Sequence, residues 1–389
     1  MATTNTHDVI QPILEFADHL HQSGCAPYSV SKYTEQYASK HGVEATIDVT
    51  PSKIMAIIEK PNQSVVIQNK TPPSVNLRQL VSTLRSLKNH SPITVVGRYS
   101  FYTLGIANIL LPPCYLMLVG STYCAVLLSV FLGLIAWVIQ CQLTHKSAIL
   151  TEFIVALIAS IVVGIASGYA PDLPVLALCI SSVVLFIPGL TITNALASFS
   201  VNDYRSGIEL LAQSGFVIMK LFIGIVLGLT ISRLFISTPD VTNYINEIPP
   251  ITQFVALVGI STGIGVIFNA DAKDIAISLP AAIIGMWGPH WITPDWIVGT
   301  WISSMLITLY GLLVGKMRGT PPIVYIVQGI IILVPGSRIM VGASESFFET
   351  SVLATPNIGL SALLMFCSIM AGQLVIYSFM SKSFFLNVD

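Results

Sequence analysis

The sequence predicts an α-helical polytopic membrane protein, with about ten transmembrane helices and an N-terminal cytoplasmic α/β domain. Hydropathy, the placement of charges and the length of the apolar segments predict this class. Hydrophobic residues make up 53% of the 389 residues and charged residues 10%, with a mean hydropathy of +0.78. Soluble domains carry about 25% charged residues. One soluble core cannot hide this much apolar surface, so a lipid bilayer is the predicted surrounding.

Charge placement predicts the domain boundaries. Residues 1–98 contain half of the lysines and arginines, although they form only a quarter of the chain. We therefore predict a cytoplasmic α/β domain at 1–98, a first five-helix transmembrane repeat at 99–236 and a second at 237–389. The net charge of −1 gives no reason to expect a nucleic-acid partner.

The N-terminal domain shows a change of periodicity along its length. Helical periodicity predicts helices over about 7–22, 29–41 and 76–87. The stretches VEATIDVT, KIMAIIEK and QSVVIQNK between the second and third helix are typical of short strands. Residues 91–98 are predicted to be a linker.

Ten apolar segments follow, each long enough to cross a hydrocarbon core of ~30 Å. They are 101–119, 122–141, 148–169, 173–198, 207–235, 252–269, 275–292, 295–315, 321–345 and 357–380. Glycine pairs four residues apart predict close helix packing at Gly164/Gly168, Gly224/Gly228 and Gly259/Gly263.

The positive-inside rule orients these segments. With the N-terminus in the cytoplasm, the outer loops carry only Arg233, and the inner loops and tail carry Lys146, Arg205, Lys273, Lys316, Arg318 and Lys382. We therefore predict a multi-pass protein of the cell inner (plasma) membrane with both termini in the cytoplasm.

A Pro-Gly motif recurs in the two halves. FIPGLT at 186–191 and LVPGSR at 333–338 each lie about 14 residues into the fourth helix of a set of five. Five is an odd number, so the second set enters the membrane from the opposite side, which is the inverted repeat of many secondary transporters. Proline removes a backbone donor and glycine eases unwinding. Two broken helices in equivalent positions predict a central binding site, although prolines also kink helices for packing alone.

Polar residues beside the two motifs predict what such a site binds. Arg338 and Lys220 are deep cations, and a guanidinium can hold a carboxylate through two hydrogen bonds. Lys220 lies about 20 Å from either end of its predicted helix. Glu152 and Glu209 lie nearer the ends of theirs, so an ion pair with Lys220 is not expected. The predicted substrate site comprises Pro188, Gly189, Thr191, Thr193, Asn194, Lys220, Pro335, Gly336, Ser337 and Arg338. Candidates for proton coupling are Asp203, Glu209, Asp271 and Glu345, among which the sequence does not choose.

The stretch PGLTITNALASFSVNDYRSG at 188–207 resembles the signature of the threonine/serine exporter family. The matching positions are Pro188, Gly189, Thr193, Asn194, Asp203, Ser206 and Gly207. Ala197 and Ser198 stand where the family has an Arg-Asp pair. Residues 20–54 and the stretches GIGVIFNADAKDI and IILVPGSRI are also similar to the family, with both halves fused in one chain. The resemblance implies proton-driven export of threonine and serine, and relatives with divided halves are associated with export of a dicarboxylate such as succinate.

These observations favour a secondary active exporter of a small carboxylate-bearing metabolite, in first place threonine or serine. A succinate-like dicarboxylate is the alternative, with one cation for each carboxylate. A gated channel or a membrane-anchored regulatory protein is a further alternative. The N-terminal domain has no GxSxG, HExxH or CxxC pattern and the chain has no GxxxxGK[ST] loop, so we expect a transporter without cofactor or metal. The expected partners are a small-molecule substrate and the lipid bilayer, and a homo-oligomer stays open.

Overall fold

The computed structural model of the chain describes residues 6–60, 64–70, 75–89, 91–143, 147–236, 248–249, 251–333 and 358–379. Its N-terminal part comprises α1 (Thr6–Gln22), α2 (Pro27–Lys40), β1 (Glu44–Thr50), β2 (Lys53–Lys60), β3 (Ser64–Asn69) and α3 (Leu77–Asn89). These elements lie within a few residues of the positions that the sequence patterns predict.

The three strands form an antiparallel sheet in the order β1-β2-β3. Alternate residues of β2 point to opposite faces, and Ile54, Ala56 and Ile58 are buried against the helices. Helix α1 contributes Ile13 and Phe16 to the same apolar cluster. The apolar face of the amphipathic helix therefore packs on the apolar face of the sheet in one core.

The remaining helices are strongly apolar. They are α4 (Phe101–Val119), α5 (Tyr123–Leu143), α6 (Ala148–Tyr169), α7 (Val175–Val183), α8 (Gly189–Ser200), α9 (Tyr204–Ser232), α10 (Ile251–Ile267), α11 (Ala272–Ile292), α12 (Trp296–Arg318), α13 (Ile323–Leu333) and α14 (Ile358–Phe379). In the part of the chain that is described, six of them are long and apolar enough to cross a membrane, namely α4, α5, α6, α9, α11 and α12. The bent pair of α7 and α8 makes a seventh span if it is counted as one, and α10, α13 and the apolar part of α14 are shorter. The protein is therefore a polytopic membrane protein, whereas the count of ten spans stays a prediction.

Glycines bring the membrane helices close together. A Cβ on Gly228 of α9 would lie 2.5 Å from the Leu157 carbonyl oxygen of α6, and one on Gly224 would lie 2.7 Å from the Ala156 Cβ. On α10, a Cβ on Gly263 would lie 2.9 Å from a Leu111 methyl of α4. The predicted close packing at these glycines is confirmed, since no larger side chain fits at these helix contacts.

The N-terminal part packs directly on the membrane helices. The first backbone amides of α3 are hydrogen-bonded to the residues that follow α10. Leu77 N donates to Phe268 O at 2.8 Å, and Arg78 N donates to Asn269 O at 3.0 Å. Asn269 adopts a left-handed conformation with φ of 53°. Its amide nitrogen donates to Asn76 Oδ1 at 2.7 Å, and its amide oxygen accepts from Tyr99 N at 3.1 Å. One asparagine thus joins α3, the linker and the turn between α10 and α11.

Candidate functional site

The span formed by α7 and α8 is broken at Pro188. Helix α7 tightens into a 3-10 turn at Val184–Phe186, the chain extends at Ile187, and α8 begins at Gly189. The two helices are bent by 66°. Pro188 has no amide hydrogen, so α7 cannot continue through it with regular bonding. The break predicted at the first Pro-Gly motif is confirmed.

Helix α13 packs on this break. A Cβ on Gly189 would lie 2.9 Å from Ile331 Cγ1 of α13, so glycine permits the close approach. Helix α13 ends at Leu333, two residues before the second Pro-Gly motif. The predicted site residues Pro335, Gly336, Ser337 and Arg338, and the coupling candidate Glu345, lie outside the described residues.

Helix α8 is surrounded by protein, and most of its polar side chains are buried. Thr193 Oγ1 donates back to Gly189 O at 2.8 Å, a bond within the helix, and Thr191 is half-buried. Asn194 Nδ2 donates to Gly24 O at 3.1 Å, but Asn194 Oδ1 makes no hydrogen bond. Ser198 Oγ, four residues further on the same face, also makes none. Each buried polar group without a hydrogen-bond partner lowers the stability of the fold by about 1–3 kcal/mol. The face of α8 that carries Asn194 and Ser198 therefore has hydrogen-bonding capacity available for a polar ligand.

The turn between α1 and α2 lies against this face. Gly24 is left-handed with φ of 84°, and a Cβ there would lie 3.4 Å from Leu190 of α8. Burial raises the pKa of the neighbouring Cys25 thiol to about 12, so the thiol stays neutral at physiological pH. Burial also raises the pKa of the Tyr28 phenol, and the nearby Asp203 charge acts in the same direction. The thiol and the phenol that follow Gly24 are thus neutral groups.

The three described coupling candidates lie at different places. Asp203 caps α9, since its carboxylate accepts from Ser206 N at 3.2 Å. Asp271 precedes α11 and forms an ion pair with Arg78 Nε at 2.8 Å. Glu209 is half-buried in the second turn of α9. Two of the three therefore take part in contacts that hold the fold.

Lys220 differs from expectation, because its ammonium forms an ion pair with Glu152. The two residues are 68 positions apart in sequence, and the same offset brings Gly164 against Ser232. Helices α6 and α9 thus run parallel, and α9 extends roughly three turns beyond the start of α6. Lys220 of α9 consequently lies level with Glu152, one turn from the start of α6, and is not alone at the middle of the span. The expectation that this ion pair would not form was wrong.

Sequence reasoning did not single out a polar cluster at the start of α11. Asp274 Oδ1 accepts from Tyr325 OH at 3.0 Å and from Arg318 Nη2 at 3.3 Å. Arg318 Nε donates to the same Tyr325 hydroxyl at 2.9 Å. The Thr320 hydroxyl forms a further hydrogen bond with the Tyr325 hydroxyl at 2.9 Å. A signal was available, since Asp274 begins a helical stripe of small or polar buried residues that continues through Ser278, Ala281, Ala282 and Gly285.

Gln373 of α14 was also missed by sequence reasoning. Its side chain is fully buried, and neither its amide oxygen nor its amide nitrogen makes a hydrogen bond. Helix α14 packs on α8, the helix that carries Asn194. In the described part of the chain, no three His, Cys, Asp or Glu side chains come together as a metal site would need.

The fold and this site define a polytopic membrane protein with a broken span, lined by buried polar groups, at the contact of α8 with α13 and α14. Residues 84–232 match the model of a family described as "Putative threonine/serine exporter". The match runs from the end of α3 through α9 and includes the broken span. No curated protein and no solved structure matches the chain.

Proposed function

We propose that the protein is a secondary active exporter of threonine and serine, driven by the proton gradient. The broken span α7–α8 is the observation that carries this proposal. A membrane helix is interrupted only where protein or a water-filled cavity meets the freed backbone groups. The interruption lies within the region that matches the exporter family.

The substrate site that we propose is centred on α8. Pro188 and Gly189 form the break, and Thr191, Thr193 and Asn194 follow it. A zwitterion of this size needs donors for its carboxylate and acceptors for its ammonium and hydroxyl. Asn194 Oδ1 and Ser198 Oγ have no hydrogen bonds of their own and are suited to the second role. Pro335, Gly336, Ser337 and Arg338 would supply the carboxylate donors from the second motif.

The pairing of helices supports an inverted repeat. Helix α6 packs on α7 and α9 in the first half, and α12 packs on α13 and α14 in the second. Helices α4 and α10, the first of each set, pack on one another. The contacts of α6 in the first half thus have counterparts in those of α12 in the second, as two related five-helix units would require.

Contacts of the N-terminal part support the orientation. It meets α9 near its start through Asp48 and Arg205, and the turn before α11 through Arg78 and Asp271. The positive-inside rule assigns both places to the cytoplasm. We therefore keep the proposal that the N-terminal domain and both termini are cytoplasmic.

The dicarboxylate alternative required two unpaired cations, Lys220 and Arg338. Lys220 does not meet that requirement, because it is paired with Glu152. We therefore leave Lys220 out of the proposed substrate site.

Counterflow in sealed proteoliposomes of the purified full chain tests the proposal. Labelled threonine, serine and succinate are offered outside vesicles loaded with the same unlabelled compound. We expect saturable exchange of threonine or serine that excess unlabelled amino acid blocks. Succinate exchange without amino-acid exchange would replace the proposed substrate, and no exchange of any of the three would contradict the proposal.

A further inference from the structure

Asp274 has an unusual position among the acids of this protein. Among the residues whose side chains the structure describes, it is the one Asp or Glu that is buried, with 6% of its side chain exposed. The acids considered above, Asp203, Glu209 and Asp271, are all half-buried. A carboxylate shielded from water costs free energy unless it is neutralised, by a cation or by a proton.

The groups that face Asp274 come from two helices. Helix α12 contributes Arg318, whose side chain is 37% exposed, and α13 contributes Tyr325, which is fully buried. Helix α10, which also packs on α11, contains no titratable residue. On its own helix Lys273 is exposed, and the preceding Asp271 is paired with Arg78 of α3. Arg318 is thus the cation that balances the Asp274 charge, and it has access to water.

Helix α13 connects this cluster to the broken span. Tyr325 lies in its first turn, Gln328 in its second, and Ile331 reaches Gly189 at the break. Gln328 is fully buried and accepts a short hydrogen bond from Ser261 of α10. A change in the bonds of Tyr325 therefore acts at one end of a rigid helix whose other end touches the proposed substrate site.

From this geometry we infer that Asp274 is the carboxylate that carries the coupling proton, an inference that rests on the proposed function. The ionised carboxylate holds α13 and the end of α12 on α11 through Tyr325 and Arg318. When a proton from water binds the carboxylate, the ion pair is lost and Arg318 turns to the solvent. Helix α13 is then released to move relative to the break. Protonation and substrate movement are coupled through this one helix.

The test separates exchange from coupling in proteoliposomes of the full chain. Asp274→Asn cannot bind or release a proton at this position. We expect it to retain threonine counterflow but to lose accumulation driven by an acidic vesicle interior, down to the level without a gradient. Asp48→Asn is the matched control, because Asp48 pairs with Arg205 at the same 3.3 Å but at the surface, and we expect it to accumulate as the wild type does.

Two results would overturn the inference. The first is gradient-driven accumulation by Asp274→Asn at the wild-type level, and the second is loss of the gradient response in Asp271→Asn instead. Absence of threonine counterflow in the wild type would contradict the proposed function itself, which keeps the two failures distinct.

If Asp274→Asn does not fold, a second variant, Tyr325→Phe, tests the inference. Tyr325→Phe keeps the ion pair with Arg318 and removes one hydrogen bond to the ionised carboxylate. Because α13 is then held less firmly on α11, we expect gradient-driven accumulation of threonine to fall several-fold below the wild-type level while counterflow is retained. Wild-type accumulation by a folded Tyr325→Phe protein contradicts the inference.

Discussion

The Lys220 ammonium and the Glu152 carboxylate neutralise one another where α6 meets α9, with 28% and 23% of their side chains exposed. A cation alone at this depth would cost several kcal/mol, and pairing removes most of that cost. The pair also explains why a charged residue is tolerated in an otherwise apolar helix without any ligand.

Removing one partner should therefore destabilise the protein more than removing both. We expect Lys220→Met to lower the free energy of unfolding by about 1–3 kcal/mol, because the Glu152 charge is left alone. The double variant Lys220→Met/Glu152→Gln should recover most of that loss. Unfolding of the purified variants in detergent measures the effect. A Lys220→Met protein of normal stability that has lost threonine binding would return Lys220 to the substrate site.

Helices α6 and α9 form the closest helix pair of the first half. Their contact depends on glycine, because α9 places Gly224 and Gly228 where the backbone of α6 leaves no room for a side chain. In lipid no hydrophobic effect drives helices together, so such close contacts carry much of the association.

Gly228→Ala should consequently destabilise the protein by about 1–3 kcal/mol, as overpacking does elsewhere. Gly215→Ala is the matched control on the same helix, since a Cβ there meets nothing within 4 Å. It should be neutral or stabilising by about 0.5–1 kcal/mol, because alanine favours a helix. Thermal unfolding in detergent compares the two, and equal midpoints for both variants would show that the α6–α9 contact is looser than described.

Sequence patterns predicted elements better than they predicted relations between elements. Periodicity and turn residues were sufficient for α1–α3, the three strands and the break at Pro188, because these depend on local chemistry. The partner of Lys220 was missed because hydropathy does not say how far α9 extends beyond α6. Asp274 was not among the four acids that the sequence singled out, because only packing shows that it is buried whereas Asp271, three residues earlier, is half-buried.

The N-terminal part and the membrane helices share one apolar cluster. That cluster runs from Phe16 and Ile54 to Leu190 of α8 and Tyr325 of α13. The N-terminal part therefore touches both the broken span and the Asp274 cluster. Any motion of α8 or α13 during transport has to be accommodated at this contact.

Asn269 is the polar centre of that contact, and Asn269→Ala should loosen it. Alanine loses the hydrogen bonds to Asn76, Gly97 and Tyr99 and is strained at a positive φ. We expect faster proteolysis in the linker 91–98. Asn202→Ala is the control, because Asn202 is also left-handed with φ of 64° but makes its side-chain bond to the exposed Tyr204. Equal cleavage of the linker in both variants would argue against docking through Asn269.

We propose that threonine or serine crosses the membrane at the buried polar face of α8. Threonine counterflow by wild type, Asn194→Ala and Ser200→Ala, in vesicles containing equal amounts of folded protein, tests this proposal. Ser200 is buried on the same helix, but its hydroxyl is bonded to Leu196 O, so Ser200→Ala should exchange threonine normally. Asn194→Ala should lower exchange by roughly tenfold or more, the effect of one lost hydrogen bond to substrate. Wild-type exchange by Asn194→Ala would contradict the site, and absence of exchange by all three would contradict the function.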